Sequence, residues 1–333
     1  MQLRFFWWKK VAAPVVFLMI FLVISWVFLP LHSQGRKIVT IPPGADSLKI
    51  AHILSRHKVI KNKFVFVFLS RILGWEQDLK AGKYEFFTPS MLEVLGELRK
   101  GQIKTHRVTF PEGLPKWEIA EMLSQRGIVG KEEFLAVVNN PQIYEDEFSF
   151  PLPEDSLEGY LYPDTYHFIE GETAEKIVRK FLSRFEEIIL PLYEELHGED
   201  KSSLQKLIIL ASIVEKEARI SSEKATIAGV FYNRLRKGMR LRADPTIKYA
   251  LGDFRERLDR QRLKTPSLYN TYLYFGFPPG PICSPGRESV YAALYPAKVD
   301  YLYFVARGDG SHQFSKDYKQ HLRAVYQYQN QRG

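Results

Sequence analysis

The chain of 333 residues contains one cysteine, Cys283, and only eight histidines. A single cysteine forms no internal disulfide bond and provides no cysteine-rich metal site. His167 and His312 lack the histidine or carboxylate spacing of metal-binding motifs, so no metal site is predicted. The fold must therefore be stabilised by apolar packing, for which a hydrophobic content of 45% provides ample material.

Acidic residues are fewer than basic ones, with 38 Asp and Glu against 47 Lys and Arg and a net charge of +9. This balance favours an anionic partner, and composition alone leaves a membrane surface, a nucleic acid and an acidic polymer open. The excess is strongest at residues 234–264, where 11 Lys or Arg stand against four Asp or Glu. A nucleic-acid-binding surface is therefore one alternative.

Charged residues are absent from positions 11–30, a run of 20 mostly apolar residues. At about 1.5 Å per residue, a helix of this length crosses about 30 Å of hydrocarbon. Arg4, Lys9 and Lys10 precede the run, so residues 1–10 are expected inside and the rest of the chain outside. A cleaved signal peptide has a shorter apolar core and a small-residue cleavage site. We therefore predict a single-pass anchor in the inner membrane and a periplasmic or extracytoplasmic main body, a location that argues against a nucleic-acid partner.

A repeated pattern follows the apolar run. Residues 39–55 read VTIPPGADSLKIAHILS and residues 108–124 read VTFPEGLPKWEIAEMLS, with identity at eight of 17 positions. Each copy predicts a strand, a Pro-x-Gly turn and a helix with its apolar residues on one face. The repeat therefore indicates an internal duplication.

Between the copies lies NKFVFVFLSRILGW at residues 62–75, which is apolar enough to be buried and fits a strand or a helix. The sequence GKYEFF then predicts a strand. A helix follows, marked by a capping box of Ser90 with Glu93 and ended by Gly101. Residues 38–105 are thus expected to form one compact α+β unit.

The second half predicts three consecutive helices, at about 172–197, at about 203–219, and from the Ser221 region to Lys237. Residues 265–289 are rich in Pro, Gly and Tyr, a composition typical of loops that line a site. Two short strands joined by a Gly-Asp-Gly turn and a polar helix from about residue 316 complete the chain.

Two glutamates, Glu215 and Glu217, end the apolar stretch LIILASIVEKEAR at residues 207–219. On a helical wheel they lie on opposite shoulders of an apolar stripe, about 200° apart. Outside the stripe we expect Ser212, Lys216 and Arg219. A carboxyl group at the rim of an apolar surface is partly desolvated, which raises its pKa towards that of a general acid. Glutamates that flank an apolar stripe are usually only solvated, so periodicity alone favours a solvated helix end over a functional role for either residue.

From about residue 38 to residue 322 the sequence resembles the endolytic murein transglycosylase family, also called the YceG-like family. The resemblance is carried, in order, by LEGYLYPDTY, ASIVEKEA, VFYNRLRKGMRLRADPTIKYALG, YNTYLYFGFPPGPICSPG and YLYFVARGDGSHQFS. It implies an α+β protein with a LysM-like α/β module at 38–105 behind the single N-terminal transmembrane helix. The second repeat copy at 106–150 then acts as a connector to a mixed α+β catalytic domain at 151–333.

The resemblance assigns Glu217 as the catalytic acid and leaves Glu215 as a supporting residue. The implied reaction cleaves the MurNAc-β-1,4-GlcNAc bond within nascent peptidoglycan strands, producing 1,6-anhydroMurNAc ends without a cofactor. Penicillin-binding synthases are the implied protein partners. Substrate contacts are predicted for Tyr160, Tyr162, Asp164, Tyr166, Asn233, Asp244, Tyr269, Asn270 and Tyr272.

Alternatives remain for this interpretation. Each tyrosine fits a packing role as well as a glycan contact, and Asp244 before Pro245 is also a suitable helix start. A hydrolase would use Asp164 or Asp244 to activate water, and a non-catalytic scaffold of wall synthesis would only bind glycan. The segment at 231–245 is more basic than the family pattern, which leaves the partner of the outer groove open.

Overall fold

The computed structural model describes residues 36–87, 90–101, 105–169, 172–198, 200, 203–255 and 257–328. The predicted membrane span at 11–30 lies outside these residues. Within the described ranges, no helix is both long and apolar enough to cross a bilayer. The chain divides into two compact units, unit 1 (Met1–His106) and unit 2 (Arg107–Gly333).

Unit 1 is built from a strand, two helices, a second strand and a third helix. In chain order these are β1 (Arg36–Ile41), α1 (Ser47–Arg56), α2 (Lys63–Ile72), β2 (Gly82–Phe87) and α3 (Met91–Lys100). The two strands pair antiparallel, with Val39 opposite Tyr84. Alternate strand residues point inward, and Val39, Ile41, Tyr84 and Phe86 join the helices in one apolar core.

The ambiguous segment at 62–75 is a helix, because the Asn62 side chain accepts a hydrogen bond from the Phe64 amide at 2.8 Å and starts it. Only one face of this helix is buried. Phe66 is fully buried, whereas Phe64 is 68% exposed and Phe68 is 58% exposed. The expectation of a buried segment is therefore wrong for the outward face of α2.

The predicted boundaries of α3 are confirmed. Ser90 and Glu93 form the reciprocal capping box, and Gly101 ends the helix with φ +69°. A left-handed residue at this position costs little for glycine, which explains why the helix stops there.

Unit 2 contains eight further helices and two small sheets in its described part. The helices are α4 (Lys116–Gln125), α5 (Lys131–Val138), α6 (Ala174–His197), α7 (Leu204–Glu217), α8 (Lys224–Arg236), α9 (Asp244–Ala250), α10 (Arg287–Leu294) and α11 (Tyr318–Tyr328). The strands are β3 (Thr105–Thr109), β4 (Thr165–Ile169), β5 (Tyr303–Ala306) and β6 (His312–Ser315), with β3 paired to β4 and β5 to β6.

The sequence duplication is also a structural one. Helices α1 and α4 both begin and end 69 residues apart, the offset of the repeat. Gly44 and Gly113, the glycines of the two Pro-x-Gly turns, have φ +72° and φ +79°, a conformation that favours glycine. Residues 106–150 pack into the core of unit 2 rather than forming a connector, since Phe110, Phe134 and Phe150 belong to the same apolar cluster as α6 and α7.

Helix α7 lies at the centre of that core. Leu204 and every residue from Leu207 to Val214 are buried. The predicted outward position is therefore wrong for Ser212, whereas Arg219 is exposed as expected. Ser212 is fully buried, donates to the Ile209 carbonyl at 2.7 Å and accepts from the Ile282 amide at 3.0 Å. A helix that is apolar on all sides is an interior helix, so only its last turn reaches the surface.

Candidate active site

Glu217 is the last residue of α7, and the backbone turns to an extended conformation at Ala218. The glutamate is therefore carried from the core to the rim of unit 2, where it is half-buried. Burial raises the pKa of Glu217 to about 8, and the negative charge of Asp244 contributes to the rise. Arg234 and Lys248 oppose it. The carboxyl group is thus predominantly protonated at neutral pH.

Asp244 is the first residue of α9 and is exposed. One of its carboxylate oxygens accepts a hydrogen bond of 2.6 Å from the Tyr272 hydroxyl. Burial, together with the charge of Asp244, raises the pKa of Tyr272, which keeps its hydroxyl protonated as the donor. The predicted site residues Glu217, Asp244 and Tyr272 therefore form one electrostatically linked group.

Thr271 fixes residues 265–286, here termed the tyrosine-rich loop, against the start of α9. Its hydroxyl accepts from the Ala243 amide at 2.9 Å and is 2.9 Å from the Thr246 hydroxyl. Its carbonyl accepts from the amide of Arg242, a residue with φ +49°. A non-glycine residue in this left-handed region is strained, and here it directly precedes the turn that presents Asp244.

Arg234 on α8 was not predicted from the sequence as a site residue. It is 7% exposed, and its guanidinium donates to the Leu302 carbonyl at 2.7 Å and to the Leu241 carbonyl. These bonds hold a positive charge within electrostatic range of Glu217. The sequence contained no usable signal for Arg234, which lies in a generally basic segment. Lys248, four residues after Asp244 on one helix, was a recognisable i, i+4 pair.

Glu215 has a different set of neighbours. One of its carboxylate oxygens accepts from the Ser289 hydroxyl at 2.5 Å, from the Gly286 amide at 3.1 Å and from the Lys224 ammonium at 3.4 Å. Its side chain is 10% exposed. Glu215 thus joins the end of α7 to the starts of α8 and α10, a structural position separate from the group formed by Glu217, Asp244 and Tyr272.

Three residues predicted to bind substrate are buried with their polar atoms used internally or enclosed. Tyr160 is fully buried between aromatic rings of Phe150 and Phe185. The Asn270 amide donates to the carbonyls of Leu263 and Thr265. The amide of Asn233 donates to the carbonyls of Val299 and Tyr301. These positions do not support glycan contacts, and they indicate that the three side chains shape the core and the loops.

The LYPDTY segment also lies mainly inside unit 2. Tyr162 is 8% and Tyr166 is 7% exposed, and the Tyr166 hydroxyl donates to the Tyr162 carbonyl at 2.7 Å. Asp164 forms an ion pair of 2.6 Å with Arg184 and lines a cavity of about 620 Å³ between β4 and α6. Among the described residues, the cavity lining includes none of the charged groups that act on Glu217.

Glu158, which is 2% exposed, is a buried carboxyl group that the sequence interpretation missed. It accepts hydrogen bonds from the Lys116 amide at 3.0 Å and from the Tyr249 hydroxyl at 3.1 Å. Burial raises the pKa of Glu158 to about 7, against the effect of these donors. Tyr249 in turn packs on Tyr269, with ring centroids 4.8 Å apart. Tyr269, predicted to bind glycan, therefore belongs to this half-buried network beside α9. A lone acidic residue in the apolar LEGYLY segment was the available signal.

The sequence is similar to that of a known protein family. The YceG-like family matches residues 39–327. A protein named endolytic murein transglycosylase from Bacillus subtilis is 32% identical, over 87% of this chain and 84% of the relative. A protein of the same name from Streptococcus pneumoniae is 29% identical over 91% of this chain, which spans 60% of that relative.

A solved structure gives the same result. The crystal structure of a YceG-like protein from Listeria monocytogenes is 34% identical and superposes with a TM-score of 0.59, covering 87% of this chain and 99% of the other. At 34% sequence identity, the two proteins are similar in sequence as well as in fold. Because the family matches most of its length, this chain belongs to the YceG-like family.

Proposed function

We propose that this protein is an endolytic lytic transglycosylase that cleaves the MurNAc-β-1,4-GlcNAc bond within nascent peptidoglycan strands. Family membership and the names of the bacillar and streptococcal relatives support the reaction class. The observation that carries the proposal is the carboxyl group of Glu217, which reaches the surface with a pKa raised to about 8. A protonated carboxyl group at a site edge is what protonation of a glycosidic oxygen requires.

In the first step Glu217 donates its proton to the oxygen of the leaving GlcNAc, and the C1–O bond of MurNAc breaks through an oxocarbenium-like transition state. The C6 hydroxyl of the same MurNAc then attacks C1. The ionised Glu217 removes the hydroxyl proton, which restores the acid and leaves a 1,6-anhydro end. The sugar supplies the nucleophile, so one carboxyl group acts as both acid and base.

The charges around Glu217 suit both halves of this cycle. Asp244 raises the pKa of Glu217 before proton transfer, and its negative charge favours positive charge developing on the sugar. Arg234 and Lys248 stabilise the carboxylate that remains after transfer. The opposing effects of Asp244 and of the two basic residues therefore allow Glu217 both to donate a proton and to take one back.

Substrate contacts are proposed for Asp244 and Tyr272 and for the exposed end of the tyrosine-rich loop. Leu273 is 39% exposed, Tyr274 is 46% exposed and Phe275 is 64% exposed. Arg240 lies 4.4 Å from the centroid of the Phe275 ring, which holds the ring in place. Apolar and aromatic faces next to a general acid are suited to the apolar faces of sugar rings.

The apolar run at 11–30 supports a single membrane anchor that keeps the enzyme at the outer face of the inner membrane. At this location the enzyme meets strands as they are made, so cleavage terminates their elongation beside penicillin-binding synthases. Unit 1 is proposed to be the LysM-like module, on the basis of the family resemblance.

The reaction is tested by incubating the full chain with purified peptidoglycan and analysing the muropeptides by mass spectrometry. We expect long strands to be cut internally into shorter strands that carry 1,6-anhydroMurNAc ends, because the C6 hydroxyl of the sugar replaces water as the nucleophile. Reducing ends would instead identify a hydrolase, and unchanged strands with retained glycan binding would identify a scaffold. Either of these results contradicts the proposed reaction.

The pH dependence of the reaction provides a separate prediction. Activity requires protonated Glu217, so kcat/KM falls as the pH rises through its pKa of about 8. In Asp244→Asn the repulsion that helps raise this pKa is removed, and the alkaline limb moves to lower pH by about one pH unit. Tyr272→Phe is the matched control, since it removes a hydrogen bond to Asp244 and keeps its charge. An unmoved limb in an active Asp244→Asn enzyme would refute the role of Asp244.

A further inference from the structure

Helix α2 carries an apolar surface that no described part of unit 1 covers. Phe64 is 68%, Phe68 is 58% and Ile72 is 66% exposed. Residues four apart on a helix share a face, so these side chains form one stripe about 12 Å long, here termed the α2 outer face. Phe66 on the opposite side is fully buried in the core of unit 1. The helix therefore has a second apolar face in addition to the one that folding uses.

The segment that leads into α2 is strongly basic. Residues 47–75 contain six Lys or Arg, one of which, Arg71, pairs with the carboxylate of Glu76 at 3.2 Å. Four of the six lie within residues 56–63, immediately before and at the start of α2: Arg56, Lys58, Lys61 and Lys63. The Lys63 ammonium lies 5.2 Å from the centroid of the Phe64 ring, so positive charge directly borders the apolar stripe. A helix with an apolar face and a basic border is suited to the surface of an anionic bilayer.

The chain connectivity favours the same partner. The apolar run ends at residue 30 and β1 begins at Arg36, so the five residues between them reach about 18 Å at full extension. Near the start of β1, the Lys37 ammonium donates to the carbonyl of Lys58. The basic connection from α1 to α2 is therefore attached to the end of unit 1 that follows the proposed anchor.

We infer that the α2 outer face and its basic border bind the surface of the anionic bilayer in which the chain is anchored. Phe64, Phe68 and Ile72 enter the region between headgroups and acyl chains, and the basic residues contact phosphate groups of the lipids. The inference rests on the proposed membrane span, because the anchor keeps unit 1 at the bilayer. The contact gives unit 1 a fixed orientation to the membrane rather than free rotation about its linker.

Nitroxide accessibility in liposomes tests the inference on the full chain. Cys283 is the one cysteine of the sequence and is fully buried. Replacing it in a Cys283→Ser background ensures that the spin label reacts only with a cysteine introduced at a chosen position. The chain is placed in phosphatidylglycerol-containing liposomes, and the collision rate of the label with oxygen is divided by its collision rate with a water-soluble nickel complex. We expect this ratio to be roughly threefold higher for a label at Phe68→Cys than for a label at a water-exposed position. Tyr326→Cys on α11 is the matched control, since Tyr326 is 66% exposed and lies in unit 2.

Charge reversal and carbonate extraction separate the possible results. Combining Lys58→Glu, Lys61→Glu and Lys63→Glu should return the label at position 68 to the water-exposed value while the chain stays in the liposomes after alkaline carbonate washing. A label at position 68 that is water-exposed in a carbonate-resistant wild-type chain overturns the inference and leaves the anchor standing. Extraction of the wild-type chain by carbonate overturns the anchor and the inference together.

Discussion

Glu217→Gln lowers the rate at which 1,6-anhydro ends form by about 1000-fold. The amide keeps the size and packing of the side chain at the end of α7, but it has no proton to donate at neutral pH and cannot act as a base afterwards. The rate is measured by mass spectrometry of muropeptides released from purified peptidoglycan. Binding of intact strands should change little, because the substitution removes the proton transfer and leaves the residues proposed to contact the strand unchanged.

Glu215→Gln is the matched control for this experiment. It makes the same chemical change two residues earlier, at a carboxylate that accepts from Ser289, Gly286 and Lys224. We expect it to lower the free energy of unfolding by about 2 kcal/mol, because the buried Lys224 ammonium loses the nearest of its three carboxylate partners, and to retain measurable formation of anhydro ends. Full activity of Glu217→Gln, or loss of activity in a folded Glu215→Gln only, would reverse the assignment of the two glutamates.

Gly159→Ala lowers the free energy of unfolding by about 3 kcal/mol and the melting temperature by about 10 °C. Gly159 has φ +84°, where an L side chain is strained. A Cβ atom there would lie 2.5 Å from the Pro281 Cβ and 3.0 Å from the Ile208 Cγ2. Because Ile208 belongs to α7 and Pro281 to the tyrosine-rich loop, relief of the clash must displace one of the two. Calorimetry of the full chain measures the change.

The two causes of this loss are separated by Gly252→Ala. Gly252 has φ +74° and no atom within 4 Å of an added Cβ, so this variant reports conformational strain without crowding. We expect a loss of about 1 kcal/mol. Equal losses for the two glycines would show that close packing at Gly159 contributes nothing.

Much of the local structure was predictable because it depends on neighbouring residues. The capping box at Ser90, the glycine stop at Gly101 and the repeated strand-turn-helix pattern are encoded within a few positions and were correct. Periodicity also placed Glu215 and Glu217 on different sides of a helix, and the structure gives them separate neighbours. The amphipathic interpretation of α7 was wrong because Ser212 satisfies its hydroxyl inside the core, which a hydropathy pattern does not reveal.

The composition of the site depended on contacts between distant segments and was less accessible. The carbonyls of Leu302 and Leu241 hold the guanidinium of Arg234 in place, and its positive charge lowers the pKa of Glu217. Tyr160, Asn233 and Asn270 have the side chains expected of a sugar site, but the fold uses them for packing and loop bonding. Residue type indicated which chemistry was possible, whereas burial decided which side chains remained free to perform it.

The two copies of the repeat differ in how their helices begin. In the first, the Asp46 side chain accepts from the Lys49 amide at 2.7 Å, so the helix carries its own cap. The equivalent position in the second copy is Pro115, which has no capping side chain, and the Lys116 amide donates to Glu158 instead. The first helix start is thus capped locally, whereas the second depends on a residue 42 positions away. Since Glu158 also accepts from Tyr249, beside Lys248, the start of the second helix is linked to the framework of the site, whereas the start of the first helix is capped within its own turn.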